Sequence, residues 1–280
     1  MLSFTLLTSA AIAYVSKTRG WTRHPFEMTP QNMIEALLDP EAEGVGKLIW
    51  DAYSHFYKDF PIENLRPLLI SSSDEVVSRG AFLANELGWR ARALTPEIAV
   101  LIDCANVGIR FNAIGALTSC TTSQDGDVLG KLFQHLEDPF KGVRWRMVQF
   151  VRLARSKQLA AAIRNAASQR PDSMYAEISE TLRWSMRVTE VELQRMVGHS
   201  EAGVRLFAAG MALRPRSIID ERFAEIVLET GDSEPCEFVS SAFQMHAIPI
   251  SAEFGRVENS GLAERSRGAK RQGPSQSAQG

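Results

Sequence analysis

The stretch DPFKGVRWRMVQFVRLAR, residues 138–155, carries four Arg, one Lys, one Trp and two Phe, and the next acid after Asp138 is Asp172. Guanidinium groups beside an indole have the composition of a binding hot spot. Their planar forks also suit carboxylate or phosphate. On a helical wheel Val143, Met147, Phe150, Val151 and Ala154 form one apolar side, while Trp145, Gln149 and Arg152 share another. Trp145, Arg146, Gln149, Arg152 and Arg155 are therefore the candidate partner-binding residues. The competing reading packs Trp145 between neighbouring elements, because large aromatics are mostly buried.

Other chemistry has little to stand on. The five histidines, His24, His55, His135, His199 and His246, are scattered, and no HExxH occurs. Neither a GxGxxG or GxxxxGK[ST] phosphate loop nor a GxSxG elbow is present. Cys104, Cys120 and Cys236 form no CxxC pair and no Cys/His cluster, which argues against a zinc site or disulfide framework and fits a reducing, cytoplasmic setting. No catalytic residue, metal or cofactor is assigned.

Net charge over the 280 residues is −2, so no global basic excess points to nucleic acid. That balance conceals bands. Residues 27–75 hold ten acids and three bases, 139–170 eight bases and no acid, and 172–237 thirteen acids and seven bases. A basic centre flanked by acidic ends can hold elements in register, and any surplus is displayed to a partner.

The elements that carry these residues repeat. Segments beginning at Val45, Val77, Ile109, Val143, Tyr175, Val204 and Cys236 are separated by 32, 32, 34, 32, 29 and 32 residues. Their apolar residues fall at helical spacing, as in Val45, Leu48, Ile49, Ala52, Tyr53 and Phe56. Small residues recur one turn in, at Ala81, Ala113, Ser179, Ala208 and Ser240, where a neighbouring helix can approach closely. A shorter helical stretch precedes each segment. Thr29-Pro30 and Thr95-Pro96 read as N-cap followed by Pro, and Asp39-Pro40, Ser71-Ser72-Ser73 and Asp138-Pro139 as turns.

A helix pair of this period with a D-x(n)-G-V-R turn resembles HEAT-type repeats. The turn is carried by Asp138, Gly142, Val143 and Arg144, by Asp103, Gly108, Ile109 and Arg110, and by Gly203, Val204 and Arg205. The units at Tyr175 and Cys236 depart from it. The resemblance spans roughly residues 27–250 and implies an all-α fold, a right-handed α-solenoid of about seven HEAT-like helix pairs. It also implies a structural ladder in which Arg110, Arg144 and Arg205 bond acids of adjacent turns, Asp103 and Asp138 among them.

Residues 1–26, apolar but short for a membrane span, read as a capping helix, with a membrane anchor or signal as the alternative. Residues 251–280 are too polar to pack and read as a disordered tail.

Such solenoids serve many roles. The expected function is a non-enzymatic protein–protein interaction scaffold or adaptor, or an immunity or inhibitor protein, gripping an acidic protein segment on its concave face. Nucleic acid is the alternative, by resemblance to HEAT-like alkylpurine DNA glycosylases, where Trp145 with Arg144 or Arg146 and Trp184 with Arg183 are the similar placements. The acidic flanks oppose it, because DNA affinity rests largely on phosphate neutralisation. The repeat reading predicts a far-UV circular dichroism spectrum dominated by helix; a substantial strand signal contradicts it.

Overall fold

A computed structural model describes residues 28–182, 188–214 and 221–247. The capping helix, the polar tail and the Arg183–Trp184 pair expected above lie outside those residues. Every described element is helical. In chain order the α-helices are α1 (Pro30–Leu38), α2 (Val45–Lys58), α3 (Arg66–Leu69), α4 (Asp74–Leu87), α5 (Thr95–Val100), α6 (Val107–Cys120) and α7 (Gly126–Phe133). There follow α8 (Lys141–Leu153), α9 (Ser156–Gln169), α10 (Met174–Thr181), α11 (Glu190–Val197), α12 (Ala202–Ala212), α13 (Glu221–Leu228) and α14 (Ser233–Ala247). Short 3-10 turns extend α3, α5 and α7. All seven repeat segments are helices, and the fold is an all-α solenoid.

Local chemistry sets the helix starts. The Thr29 hydroxyl accepts from the Asn32 amide at 3.2 Å, with Pro30 at the first helical position. Asn106 accepts from Gly108 and Ile109, and Thr189 and Glu192 close a reciprocal capping box. Thr95 differs from the expectation. It is already helical, and its hydroxyl donates to the Arg92 carbonyl instead of capping α5.

The second helices form one layer. In it α2 packs on α4, α4 on α6, α6 on α8, α8 on α12 and α12 on α14. The helix of the Tyr175 unit is missing from that column. Together α9 and α10 leave it: α9 lies on α7, and α10 lies on α9. Tyr175 is fully buried against Phe133, at 5.6 Å between ring centroids, and its hydroxyl donates to Glu137 at 2.7 Å. The missing Val-Arg pair does not explain this, because the Cys236 unit lacks it too and its helix α14 stays in the column; what distinguishes α10 is the burial of Tyr175 against the first-layer Phe133.

With α10 displaced, α12 fills the gap and touches α8, α11, α13 and α14. Only Ala202 and Arg205 of α12 escape burial, as expected of a helix that is apolar all round. Its approach to α8 depends on glycine. A Cβ on Gly210 would lie 2.8 Å from the Val151 Cβ and 3.0 Å from the Val148 carbonyl oxygen. A Cβ on Gly46, in α2, would meet nothing within 4 Å. Gly210→Ala should therefore cost about 1–3 kcal/mol through overpacking, while Gly46→Ala should gain about 0.5–1 kcal/mol from helix propensity. Urea denaturation of both variants checks the opposite signs.

Candidate functional site

The arginines of the repeat signature share one geometry. Arg110 Nη1 donates to the carbonyls of Cys104 and Ala105, at 2.7 and 2.9 Å, six and five residues earlier. Its Nε and Nη2 grip both oxygens of Asp138, at 3.1 and 3.2 Å. Arg144 repeats this with the carbonyls of Asp138 and Pro139 and with both oxygens of Glu234. Arg205 holds the carbonyls of His199 and Ser200, and its Nε donates to Asp232 at 2.5 Å. Each guanidinium thus closes its own turn with one nitrogen and holds a later turn with its other edge.

Asp138 takes its expected place in this ladder. Asp103 instead lies exposed, facing His135 at 3.8 Å. The carboxylates met by Arg144 and Arg205, Glu234 and Asp232, were not assigned from sequence. A further turn-tying arginine was also missed: Arg79 donates to the carbonyls of Leu37, Asp39 and Pro40 across the α1–α2 turn. It stands two places after Val77 rather than one, and its 31-residue distance from Arg110 was the available signal.

These contacts use up much of the basic band. Lys141 is paired with Glu237, Arg144 with Glu234 and Arg170 with Glu137. Trp145 is half-buried on the side of α8 that faces α14, edge-on to Phe238 at 5.5 Å and beneath the Lys141 ammonium at 4.9 Å. Its indole N–H is buried and meets no acceptor among the described residues.

Arg146 lies on the opposite flank, facing α6. Its guanidinium carbon stands 4.1 Å above the Phe111 ring, and Nη1 donates to Gln149 at 3.3 Å. Its buried Nε finds no acceptor among the described residues, an omission that costs about 1–3 kcal/mol for such a group. Burial lowers the Arg146 pKa, and the nearby Glu86 charge partly restores it. Burial likewise raises that of Glu86, and the Arg146 charge pulls it partly back. Arg152 is half-buried, and burial lowers its pKa too. Arg155 is exposed at the start of α9, where its amide donates to Gln158. So Trp145 and Arg146 face different neighbours, α14 and α6, and Gln149, whose position lies between theirs on the helix, accepts from Arg146.

The same layer carries residues that sequence reasoning passed over. Trp50, Tyr53 and Tyr57 form a ridge along α2 with centroid spacings of 5.7 and 5.9 Å, and Trp50 also meets Phe82 at 6.0 Å. Arg90 sits over Tyr57 at 4.5 Å and over Trp89 at 5.5 Å. Tyr57 and Trp89 are among the most exposed large side chains, at 57% and 71%. Their signal was the i, i+3, i+7 spacing of aromatics on α2, where Tyr53 was counted as core. On the turn side, Asp103, His135, Asp138, Lys131 and Arg170 line a shallow recess.

No family model matches the chain, and no curated protein matches it. Solved structures similar to it include a designed armadillo repeat protein in complex with the peptide (KR)4, at 12% identity and a TM-score of 0.43, covering 78% of this chain and 99% of that one. Another is the complex of CpcE and CpcF of phycocyanin lyase from Nostoc sp. PCC7120, at 16% identity and a TM-score of 0.35, covering 76% and 99%. Among the described residues no helix is long and apolar enough to cross a membrane.

The Arg110–Asp138 pair is almost wholly buried, with side chains 8% and 3% exposed. Burial pushes the Asp138 carboxyl up, but hydrogen bonds from Arg110, the Phe140 amide and His135 outweigh it and hold the pKa below its usual value. A depressed carboxyl pKa stabilises the fold above the unfolded pKa near 4, and that contribution is lost as pH falls through the folded value. Arg110→Met should cost about 3–5 kcal/mol at neutral pH by stranding Asp138. Asp138→Asn should flatten the loss of stability below pH ~4. Denaturant melts across pH check both.

Proposed function

We propose that the chain is a non-enzymatic, cytoplasmic protein–protein interaction scaffold or adaptor. It binds a partner on the concave face of its second-helix layer through the central basic band. The partner brings an acidic segment, which meets Arg146, Gln149, Arg152 and Arg155, with Trp145 bracing the α8–α14 side. The supporting observation is the state of the band. Lys141, Arg144 and Arg170 are neutralised within the fold, while Arg146 and Arg155 have no carboxylate within ion-pair distance among the described residues. Those cations stand on helices α8 and α9, which contain no acid at all.

A stable interface buries roughly 1,200–2,000 Å² in total, and the open faces of α2, α4, α6 and α8 lie side by side. A nucleic-acid binder would instead show an affinity that falls steeply with salt.

The test is a tagged pull-down from native lysate, with and without nuclease, beside the variant Arg146→Glu with Arg152→Glu. We expect a protein band that survives nuclease and is lost in the variant, whose melting curve confirms that it folds. Unchanged capture by the folded variant rules out the basic band, and capture lost only on nuclease treatment transfers the reading to nucleic acid.

A further inference from the structure

We infer that the aromatic corner of the first two units, Tyr57 with Trp89 and Arg90, is a docking site for a proline-rich segment that carries one acidic residue. It lies apart from the basic band and does not rest on the scaffold reading. The corner forms where two helices end. Tyr57 stands in the last turn of α2. Helix α4 closes at Gly88, whose φ of 57° is a left-handed conformation that favours glycine. The short turn that starts there carries Trp89 and Arg90. The Arg90 guanidinium then lies over the rings of Tyr57 and Trp89.

Arg90 is open to a ligand. The other arginines between residues 28 and 138 are engaged: Arg66 with Glu97, Arg92 with Asp125, Arg110 with Asp138 and Arg79 with three carbonyls. Arg90 has no carboxylate within ion-pair distance among the described residues, and none of its nitrogens is shut off from water. The cation that acts on the nearby Glu86 is Arg146.

Each way of holding a peptide needs its own surface. Strand addition needs a sheet edge, and every described element is helical. A phosphorylated or strongly acidic run needs several free cations. Here one guanidinium stands beside the band of residues 27–75, with ten acids and three bases. The same band repels the phosphates of a nucleic acid. A basic segment finds the Tyr57 face already taken by Arg90. What the corner offers is exposed rings, Tyr57 and Trp89, with one cation over both. Proline-rich chains dock on such aromatic surfaces, because the polyproline helix is preformed and has no internal hydrogen bonds. The repeat fits too. Trp50 and Tyr57 end the α2 ridge and stand about 10 Å apart along the helix axis, and one polyproline turn rises about 9 Å.

The probe is a blocked, all-proline peptide with one central Asp, titrated into the full chain and followed by indole ¹H–¹⁵N spectra, with Trp89→Phe assigning the signal. We expect the Trp89 signal to move saturably. Replacing the prolines with Ala should weaken binding at least about tenfold, and replacing the Asp with Lys should weaken it several-fold. Arg90→Gln should erase the preference for Asp over Lys. Tyr57→Ala, at an exposed position, should weaken both peptides without moving the melting temperature. A Trp89 signal that ignores the peptide, equal binding of the Ala peptide or equal binding of the Lys peptide overturns the inference. So does an oligothymidylate that moves the signal at lower concentration than the peptide. Neither Arg146 nor Arg152 takes part in this titration, so its failure leaves the scaffold reading untouched.

Discussion

The structure depends on a division of labour within single guanidinium groups. One nitrogen gathers two carbonyls at the end of a first helix, and the opposite edge takes a carboxylate from a turn further along. Helix ends leave carbonyls without partners, and a solenoid multiplies helix ends. Fixing an arginine at the start of the second helix satisfies those carbonyls and ties two turns together with the same side chain. The Arg110–Asp138 link shows the cost of losing it, because the carboxylate is so deeply buried that a missing cation leaves its charge held only by the Phe140 amide and His135.

That device was partly legible in the sequence. The Ile-Arg pair at 109–110 and the Val-Arg pairs at 143–144 and 204–205 marked the arginines, and the period of about 32 marked the helices. The carboxylates were harder to find. Asp138 lies one turn on from Arg110, but Glu234 lies 90 residues from Arg144. No local pattern reveals that distance, because it arises only once α10 has left the second layer. Spacing alone reported a helix at Tyr175, correctly, but not the layer it joins. The missing Val-Arg pair does not decide that, since the Cys236 unit also lacks it and α14 joins the second layer. Trp145 and Arg146 met the same limit: adjacent positions on a helix point about 100° apart, so one hot spot on paper became two flanks facing different neighbours.

The charge bands take on a different meaning in three dimensions. The acids of the last unit are not a separate surface, since Asp232, Glu234 and Glu237 belong to Arg205, Arg144 and Lys141. Of the band, Arg146, Arg155, Lys157 and Arg164 have no carboxylate within ion-pair distance among the described residues. Opposite it, on the same layer, stands the aromatic ridge of α2. The second-helix layer therefore carries aromatic residues at its start, on α2, and basic residues in its middle, on α8.

The contact between α8 and α14 also governs how the chain can change its length. Ordinary repeat arrays grow or shrink by whole units, because each unit touches only its neighbours. Here Arg144 with Glu234 and Trp145 with Phe238 bridge past α12. An extra unit inserted between α8 and α14 would pull those partners apart and expose the apolar flanks of α12. Descendants of this chain can gain or lose units ahead of α8, but behind it the architecture is inherited as one block.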